Sequence, residues 1–486
     1  MFRIVIACLF ATIGVASAQE KDPKAPTPIV PAKLTRTDPI TFEKDVLPVL
    51  AAKCHVCHSG NQQEGKLDLG TYASMMKGGK KGASIVAGKA DESPLFKRSA
   101  HMMTPIMPPK TEDNPLTPNE VALLKAWIDT GAKPPVTDVK IRRTVVVGLP
   151  PAVVKPVRAV AISPDKATVA AGRGNQIHLF DAKTGDFIKT LTDPELKTPD
   201  GKPASAAHLS LIESLAYSVD GKQLLSGSFQ ELTIWDIATG KPAKRITGYA
   251  DRVVAIAFST DGKLFATAGG APTEDGEIRV FKADGTLAFE VKNGHSDTVF
   301  GVAFSPDGTL LATSGADKFV KVFAVPGGKL VKSFEGHTHH VMDVGWTSDG
   351  KKLVSAGADN IIKVWDYEKG EKLRDIPAAK LQVTRLVMLP KTSTFLTTSG
   401  DGAVKLWSSE NTNSTKDFPG GKDFMYAVAV SDDGKTVATG GEEGIIRLYS
   451  GDGKLIKAML PPDAEPKKDE PKKEEPKKEE PKKPKK

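Results

Sequence analysis

Two cysteines followed by a histidine form the pattern in this sequence that most directly suggests chemistry. Residues 54–58 read Cys-His-Val-Cys-His, so Cys54, Cys57 and His58 stand in the order C-x-x-C-H. This spacing is typical of covalent haem attachment, because two thiols one turn apart can form thioethers with the two vinyl-derived arms of one porphyrin. The next residue, His58, is then placed under the iron as proximal ligand. The pattern predicts one haem c, attached through Cys54 and Cys57 and ligated by His58.

Two other interpretations of the cysteine pair are a thioredoxin-like redox couple and half of a zinc site. The redox couple would need a βαβ context, which the surrounding pattern lacks. The zinc site would need a second cysteine pair, and the chain has only one further cysteine, Cys8. The sequence therefore favours haem.

A sixth ligand to the iron is expected further along the chain. Five of the ten methionines fall within residues 75–107. Met107 is the favoured distal ligand, because it precedes two prolines that stiffen the backbone around it. Met102 and Met103 are alternatives, and His101 would give bis-histidine ligation. A thioether ligand would raise the reduction potential relative to a second histidine.

The N-terminus has the composition of a secretory signal. Within residues 1–18, Arg3 precedes an apolar run from Ile4 to Val15, and small residues end at Ala18. Cleavage near Ala18 would place the protein in the periplasm or outside the cell. Lipidation at Cys8 is an alternative, although almost no apolar region precedes it. No other stretch reaches about 18 apolar residues, so no transmembrane segment is predicted.

A small domain follows a linker. Residues 19–40 are rich in Pro, Lys and Thr and predict a flexible linker. Residues 41–135 predict a compact domain with a helix near its start and a second helix at Pro118–Thr130. Thr117 and Glu120 form a capping box for that second helix. A unit this small would be easier to stabilise around a bound cofactor.

From about residue 140 the pattern changes to short strands and turns. An aromatic residue ends a β-rich run seven times, and the last four intervals are each 42 residues. These positions are Phe180, Trp235, Phe281, Phe323, Trp365, Trp407 and Tyr449. The period, with Gly336-His337 and Trp365-Asp366, resembles the WD-repeat β-propeller. The resemblance implies seven blades across residues 141–460, and residues 461–486 read as a disordered Pro/Lys/Glu tail.

The WD-repeat resemblance also implies a buried hydrogen-bond network within each complete repeat. By position it would consist of His337, Ser355, Asp359 and Trp365 in the best-matched repeat. The preceding repeat keeps His295, Thr313 and Asp317. It ends in Phe323, which has no indole donor. The network is therefore predicted to be complete in the best-matched repeat and shortened in the repeat that precedes it.

The region from Phe42 to Ala132 resembles the cytochrome c domain common in planctomycete bacteria. Besides the haem motif, the matching pieces are Val46–Leu50, Gly65–Leu69, Gly78-Gly79, Met107-Pro108-Pro109 and Trp127–Ala132. The resemblance implies an all-α, class I-like cytochrome fold. It also implies that Cys54, Cys57 and His58 hold the haem and that Met107 is the distal ligand.

Charge and composition limit the possible partners. The formal net charge of +8 over 486 residues is too weak to indicate nucleic-acid binding. Residues 66–110 hold eight Lys or Arg against three acids. This excess predicts a positive rim that would steer an acidic redox partner protein.

The sequence favours an exported electron-transfer protein whose propeller docks a protein partner, without substrate turnover of its own. An oxidoreductase with a second cofactor over the propeller channel is an alternative, but the sequence offers no second set of ligands. A haem-based sensor is another, and it would need a displaceable sixth ligand.

Overall fold

The computed structural model describes residues 27–36, 38–58, 62–110, 114–135, 148–151, 153 and 155–461. The chain divides into two compact units, Met1–Thr144 and Val145–Lys486. The predicted signal peptide and residues 462–486 of the predicted tail lie outside the described residues. No helix in the described part of the chain is both long and apolar enough to cross a membrane.

Short helices form the first unit. In chain order its elements are a π-helical turn Phe42–Val46, α1 Leu47–Lys53, α2 His55–His58, β1 Gln62–Gln63, a 3-10 turn Glu64–Lys66, α3 Tyr72–Lys77, a 3-10 turn Ala90–Glu92, α4 Pro94–Ser99 and α5 Pro118–Asp129. The capping box of Thr117 and Glu120 is confirmed at the start of α5. At the other end of the unit, the Leu47 N–H reaches back five residues to the Phe42 carbonyl, so the first turn is π-helical rather than α-helical.

An aromatic cluster joins the two ends of the first unit. The ring centroid of Phe42 lies 5.3 Å from that of Trp127 and 5.7 Å from that of Tyr72. The Tyr72 hydroxyl donates to the Ala132 carbonyl at 2.7 Å. These contacts hold the first helical turn, α3 and α5 together. The elements before and after the haem motif are therefore fixed relative to one another.

The stretch 27–36, which composition assigns to the linker, is anchored to the first unit. The Ile29 N–H donates to the Ala100 carbonyl at 2.8 Å. Arg36 makes a hydrogen-bonded ion pair with Asp45, whose side chain is only 8% exposed. The composition could not indicate this anchoring, because it depends on a main-chain bond and on a carboxylate in the domain.

The described part of the second unit forms six antiparallel sheets, each built from consecutive strands. The first sheet contains β2 Val157–Ile162, β3 Thr168–Arg173, β4 Gln176–Asp181 and β5 Phe187–Leu191. A seven-stranded sheet contains β6 Ser214–Tyr217, β7 Gln223–Gly227, β8 Phe229–Asp236, β9 Lys241–Phe258, β10 Leu264–Gly269, β11 Gly276–Lys282 and β12 Leu287–His295.

Four further sheets have four strands each. They are β13 Val299–Phe304, β14 Leu310–Gly315, β15 Phe319–Ala324 and β16 Leu330–Glu335; then β17 Val341–Trp346, β18 Lys352–Gly357, β19 Ile361–Asp366 and β20 Glu371–Pro377; then β21 Val383–Met388, β22 Thr394–Ser399, β23 Val404–Ser408 and β24 Lys416–Asp417; and finally β25 Met425–Val430, β26 Thr436–Gly441, β27 Ile446–Ser450 and β28 Leu455–Met459.

The last sheet packs against the first. Val157 and Phe180 of the first sheet share one buried apolar cluster with Ile446 and Leu448 of the last. The outer strand of the last sheet is β28, which pairs with β27.

The predicted hydrogen-bond network is confirmed in the best-matched repeat. His337 lies 2.9 Å from a carboxylate oxygen of Asp359 through Nδ1 and 2.8 Å from the Ser355 hydroxyl through Nε2. The Trp365 indole donates to the same hydroxyl at 2.9 Å. Because the polar groups of this buried network are hydrogen-bonded to one another, these bonds offset the cost of removing the groups from water.

The shortened network is also confirmed. His295 lies 2.8 Å from both Asp317 and the Thr313 hydroxyl. The series stops there, because Phe323 stands where the other repeat has tryptophan.

A third network, centred on His208, was missed by the sequence analysis. His208 contacts Ser226 through Nε2 at 2.6 Å, and the Trp235 indole donates to that hydroxyl at 2.8 Å. The acid is Glu231, which contacts His208 through its Nδ1 and is also paired with Arg245. The histidine was overlooked because it lies in an inserted segment without a preceding glycine, and its acid is glutamate on a strand.

Asp317 makes the stability of the second unit depend on pH. Burial acts to raise its pKa, but the bond from His295 and the charge of Lys321 prevail and hold the pKa at about 2, against an ordinary 3.8. The stabilisation is complete above about pH 4 and is lost as the pH falls towards 2. We expect Asp317→Asn to lower the free energy of unfolding by about 2 kcal/mol at neutral pH. Urea unfolding measures this effect. The difference in free energy of unfolding between wild type and Asp317→Asn should be smaller near pH 3 than at neutral pH.

Glu335→Gln, which removes an exposed carboxylate of the same unit, serves as the control for this change. An Asp317→Asn effect of equal size at both pH values would contradict the assignment.

Candidate functional site

The first unit contains a cavity of about 670 Å³ beside α2. Its walls include Cys54, Cys57, His58 and Met107. The volume is in the range of pockets that hold cofactors, roughly 300–1,000 Å³. The fold therefore brings all four of the residues favoured by the sequence to one cavity.

The His58 ring is oriented by a main-chain carbonyl. Its Nδ1 lies 3.3 Å from the carbonyl oxygen of Leu67, which can only accept a hydrogen bond. The proton is thereby placed on Nδ1, so Nε2 keeps its lone pair. The Leu69 N–H in turn donates to the His58 carbonyl at 2.6 Å. A donor bond from the non-ligating nitrogen is the arrangement that orients metal-binding histidines.

His55, the other histidine of the motif, has a different role. Its Nε2 lies 3.0 Å from the Leu69 carbonyl, and its side chain is buried. Burial lowers the pKa of His55 to about 4, so the ring is neutral over the physiological range. His55 does not line the cavity, and it acts instead to hold α2 against the segment that follows.

The environment of the cysteines suits attachment better than thiol redox chemistry. Burial raises the pKa of the Cys54 thiol to about 12. Redox-active C-x-x-C pairs need the opposite shift, because the thiolate is the nucleophile. Cys54 and Cys57 both line the cavity, together with the ring that bears a free Nε2. This donor set fits a covalently attached haem.

The structure separates the candidates for the distal ligand into two groups. Met107 and Met103 line the cavity, whereas Met102 and His101 do not. Met102 is 47% exposed. His101 Nε2 is buried, and it has no hydrogen-bond partner within the described residues. The geometry therefore leaves the two methionines Met107 and Met103 in position to reach a bound group.

Gly78 allows a tight loop to form one wall of the cavity. Its φ is +78°, and a Cβ there would lie 2.2 Å from the Gly82 carbonyl oxygen. Only glycine fits such a close approach in this region of backbone space. The loop that results contributes Gly79 through Ser84 to the cavity lining.

Basic side chains prevail at the cavity. Among the described residues, the lining includes Lys53, Lys80, Lys81 and Arg98, against one acid, Glu64. Lys80 and Lys81 are exposed. The positive excess that the sequence counts in these loops thus lies in part at the cavity itself.

Two contacts at this site escaped the sequence analysis. The Leu67 carbonyl has no side-chain signature, although the Leu-Asp-Leu element that contains it belongs to the resemblance. Arg98 was counted only as a charge, whereas it lines the cavity and bonds to the loop that carries Met107.

Comparison with known families agrees with this geometry. Residues 54–111 match the family model described as planctomycete cytochrome C. Residues 240–282, 288–323, 328–366 and 412–450 match the WD domain, G-beta repeat. The chain therefore joins a cytochrome domain of the planctomycete family to WD repeats, which confirms the resemblance. A domain of this family implies haem binding, and WD repeats generally mediate protein–protein contacts.

Curated relatives match only part of the chain. Coronin-7 of Mus musculus is 31% identical over 114 residues, and that of Rattus norvegicus is 31% identical over 113. Each match covers 23% of this chain and 11% of the relative. Coronin-7 of Bos taurus is 28% identical over 118 residues, 24% of this chain and 12% of the relative. The chain thus spans about a tenth of the length of these curated relatives.

Proposed function

We propose that this chain is an exported electron-transfer protein that carries one haem c in its first unit and docks a partner protein on its second. The observation that carries the proposal is the convergence of Cys54, Cys57, His58 and Met107 on one cavity. A bound haem would supply a reversible one-electron couple. The chain itself would need no catalytic acid, base or nucleophile.

Each of the four residues has a distinct task in this proposal. Cys54 and Cys57 hold the porphyrin through thioether bonds. His58 binds the iron through Nε2, the nitrogen left free by its bond to the Leu67 carbonyl. Met107 supplies a thioether sulfur as distal ligand, which favours the reduced iron and raises the potential.

For the second unit we infer a propeller of seven blades that serves as the docking module. In support, β9 pairs with β8 over Lys241–Arg252 and with β10 over Val253–Phe258. The seven-stranded sheet can thus be divided into two four-stranded blades that share one long strand. Seven blades also agree with the seven aromatic positions in the sequence.

Export is part of the proposal because covalent haem attachment and the N-terminal sequence agree. The signal-like residues 1–18 would be removed near Ala18, in a periplasmic or secreted location. The mature protein would then keep Cys54 and Cys57 as its cysteines, both available for the haem.

Replacing both cysteines tests the covalent attachment. We expect Cys54→Ser with Cys57→Ser to lower the haem retained through acid–acetone extraction at least about tenfold, because two thioethers are lost. The full-length protein would be produced with haem-maturation machinery and followed by haem stain on a denaturing gel. Cys8→Ser, in the predicted leader, should retain its haem. Retention by the double variant would overturn the attachment.

Replacing Met107 tests the distal ligand. The oxidised wild-type protein should show the weak far-red charge-transfer band of a sulfur–iron bond, and Met107→Ala should abolish it and lower the reduction potential. Met103→Ala is the matched control, since Met103 lines the same cavity. Loss of the band in Met103→Ala alone would move the ligand to Met103. Absence of the band from the wild type would overturn methionine ligation.

The charge of the cavity lining supports an acidic redox partner. Lys80 and Lys81 are exposed at the lining, and Glu64 is the one acid that opposes the four cations in the part of the lining that the structure describes. Complementary charge raises the rate at which partners meet and orients them in the encounter. We propose that the partner presents carboxylates to this surface.

Reversing two of these charges tests the steering. In the reduced holoprotein, Lys80→Glu with Lys81→Glu should lower the rate of oxidation by the anion ferricyanide about tenfold at low ionic strength. The same variant should be oxidised faster by a cationic cobalt complex. The effect should fade with added salt. Lys77→Glu with Lys89→Glu changes the net charge equally away from the cavity lining. If the control variant changed the two oxidation rates equally, net charge alone would explain the result, and the proposal of a steering surface at the cavity would be wrong.

A further inference from the structure

We propose that Arg98 is a positioning residue for the distal ligand, because its guanidinium holds the loop that carries Met107 to helix α4. The inference rests on the proposed ligation of a haem by Met107. It assigns to Arg98 a role that its charge alone does not provide.

Helix α4 provides a fixed base for the loop. Phe96 and Ser99 of the helix are almost fully buried, and Phe96 belongs to the core of the first unit. The N-terminal stretch also reaches this end of the helix, where the Ile29 N–H donates to Ala100. The end of α4 is therefore held from two sides, and it can act as an anchor.

The loop leaves this base and returns to it at one residue. The Arg98 carbonyl accepts from the N–H of His101 and from that of Met107, each at 3.1 Å. The Arg98 guanidinium donates through Nη1 to the Pro105 carbonyl at 2.8 Å. One residue thus binds the loop at its start and at its end. The side-chain bond falls two residues before Met107.

The side-chain bond is separable from the main-chain bonds. Substituting Arg98 leaves its carbonyl in place, so the N–H groups of His101 and Met107 keep their acceptor. Only the bond to Pro105 is lost, together with a positive charge at the cavity. Without the bond to Pro105, the end of the loop is held to α4 by the main-chain bond from Met107 to Arg98. Met107 should then be displaced more readily from any metal that it binds.

Displacement of the methionine by imidazole measures this effect directly. In the oxidised full-length holoprotein, Arg98→Met should weaken the far-red sulfur–iron band and tighten imidazole binding about tenfold, a change of about 1.4 kcal/mol. Arg98→Lys, which keeps the charge and one donor group, should lie between the variant and the wild type. It also serves as the second test should Arg98→Met not fold.

Lys81→Met is the matched control for loss of charge. Lys81 also lines the cavity, and its side chain makes no hydrogen bond to residues 100–107 among the contacts of the described residues. An unchanged imidazole affinity in Arg98→Met, or an equal change in Lys81→Met, would overturn the positioning role. A wild-type protein without the far-red band would instead overturn Met107 ligation, and this inference with it.

Discussion

Hydrogen bonds tie helix α2, which carries the haem motif, to the segment that follows it, and the rest of the first unit depends on this contact. His58 and His55 each reach a carbonyl of that segment, at Leu67 and Leu69, and the Leu69 N–H returns a bond to His58. Leu67 and Leu69 also form part of the cavity wall. The bond that selects the tautomer of the His58 ring therefore also places the wall beside it, so ring orientation and cavity shape cannot vary independently.

The second unit follows a different principle, in which one buried polar group is repeated with changes. In three repeats a histidine joins a serine or threonine hydroxyl to an acid, around His208, His295 and His337. Such units contribute to stability mainly through contacts with their neighbours. The changes between repeats are therefore tolerated, because each sheet is supported by the sheets on either side. The described helices of the first unit do not form such a repeat, and a bound cofactor would supply part of its core.

The sequence predicted local features well and tertiary contacts poorly. The C-x-x-C-H motif, the capping box at Thr117 and the network around His337 are each defined by residue types at fixed spacings, so pattern alone identifies them. The Leu67 carbonyl as partner of His58 and the bond from Arg98 to Pro105 involve main-chain atoms, which every residue has. The His208 network was missed for a related reason, since its acid moved to Glu231 and only the folded strands bring the two together.

The placement of β28 within its own sheet has a consequence for how the second unit assembles. Among the described strands, none is shared between the first and last sheets, so their junction consists of side-chain contacts. These include apolar packing around residues such as Val157 and Ile446, and a hydrogen bond from Arg173 to the Gly444 carbonyl. These partners lie almost the whole length of the unit apart in sequence. Bringing them together costs more loop-closure entropy than joining two consecutive sheets, so this seam is expected to form last during folding, and the strands beside it are expected to exchange their amide protons first in the native state.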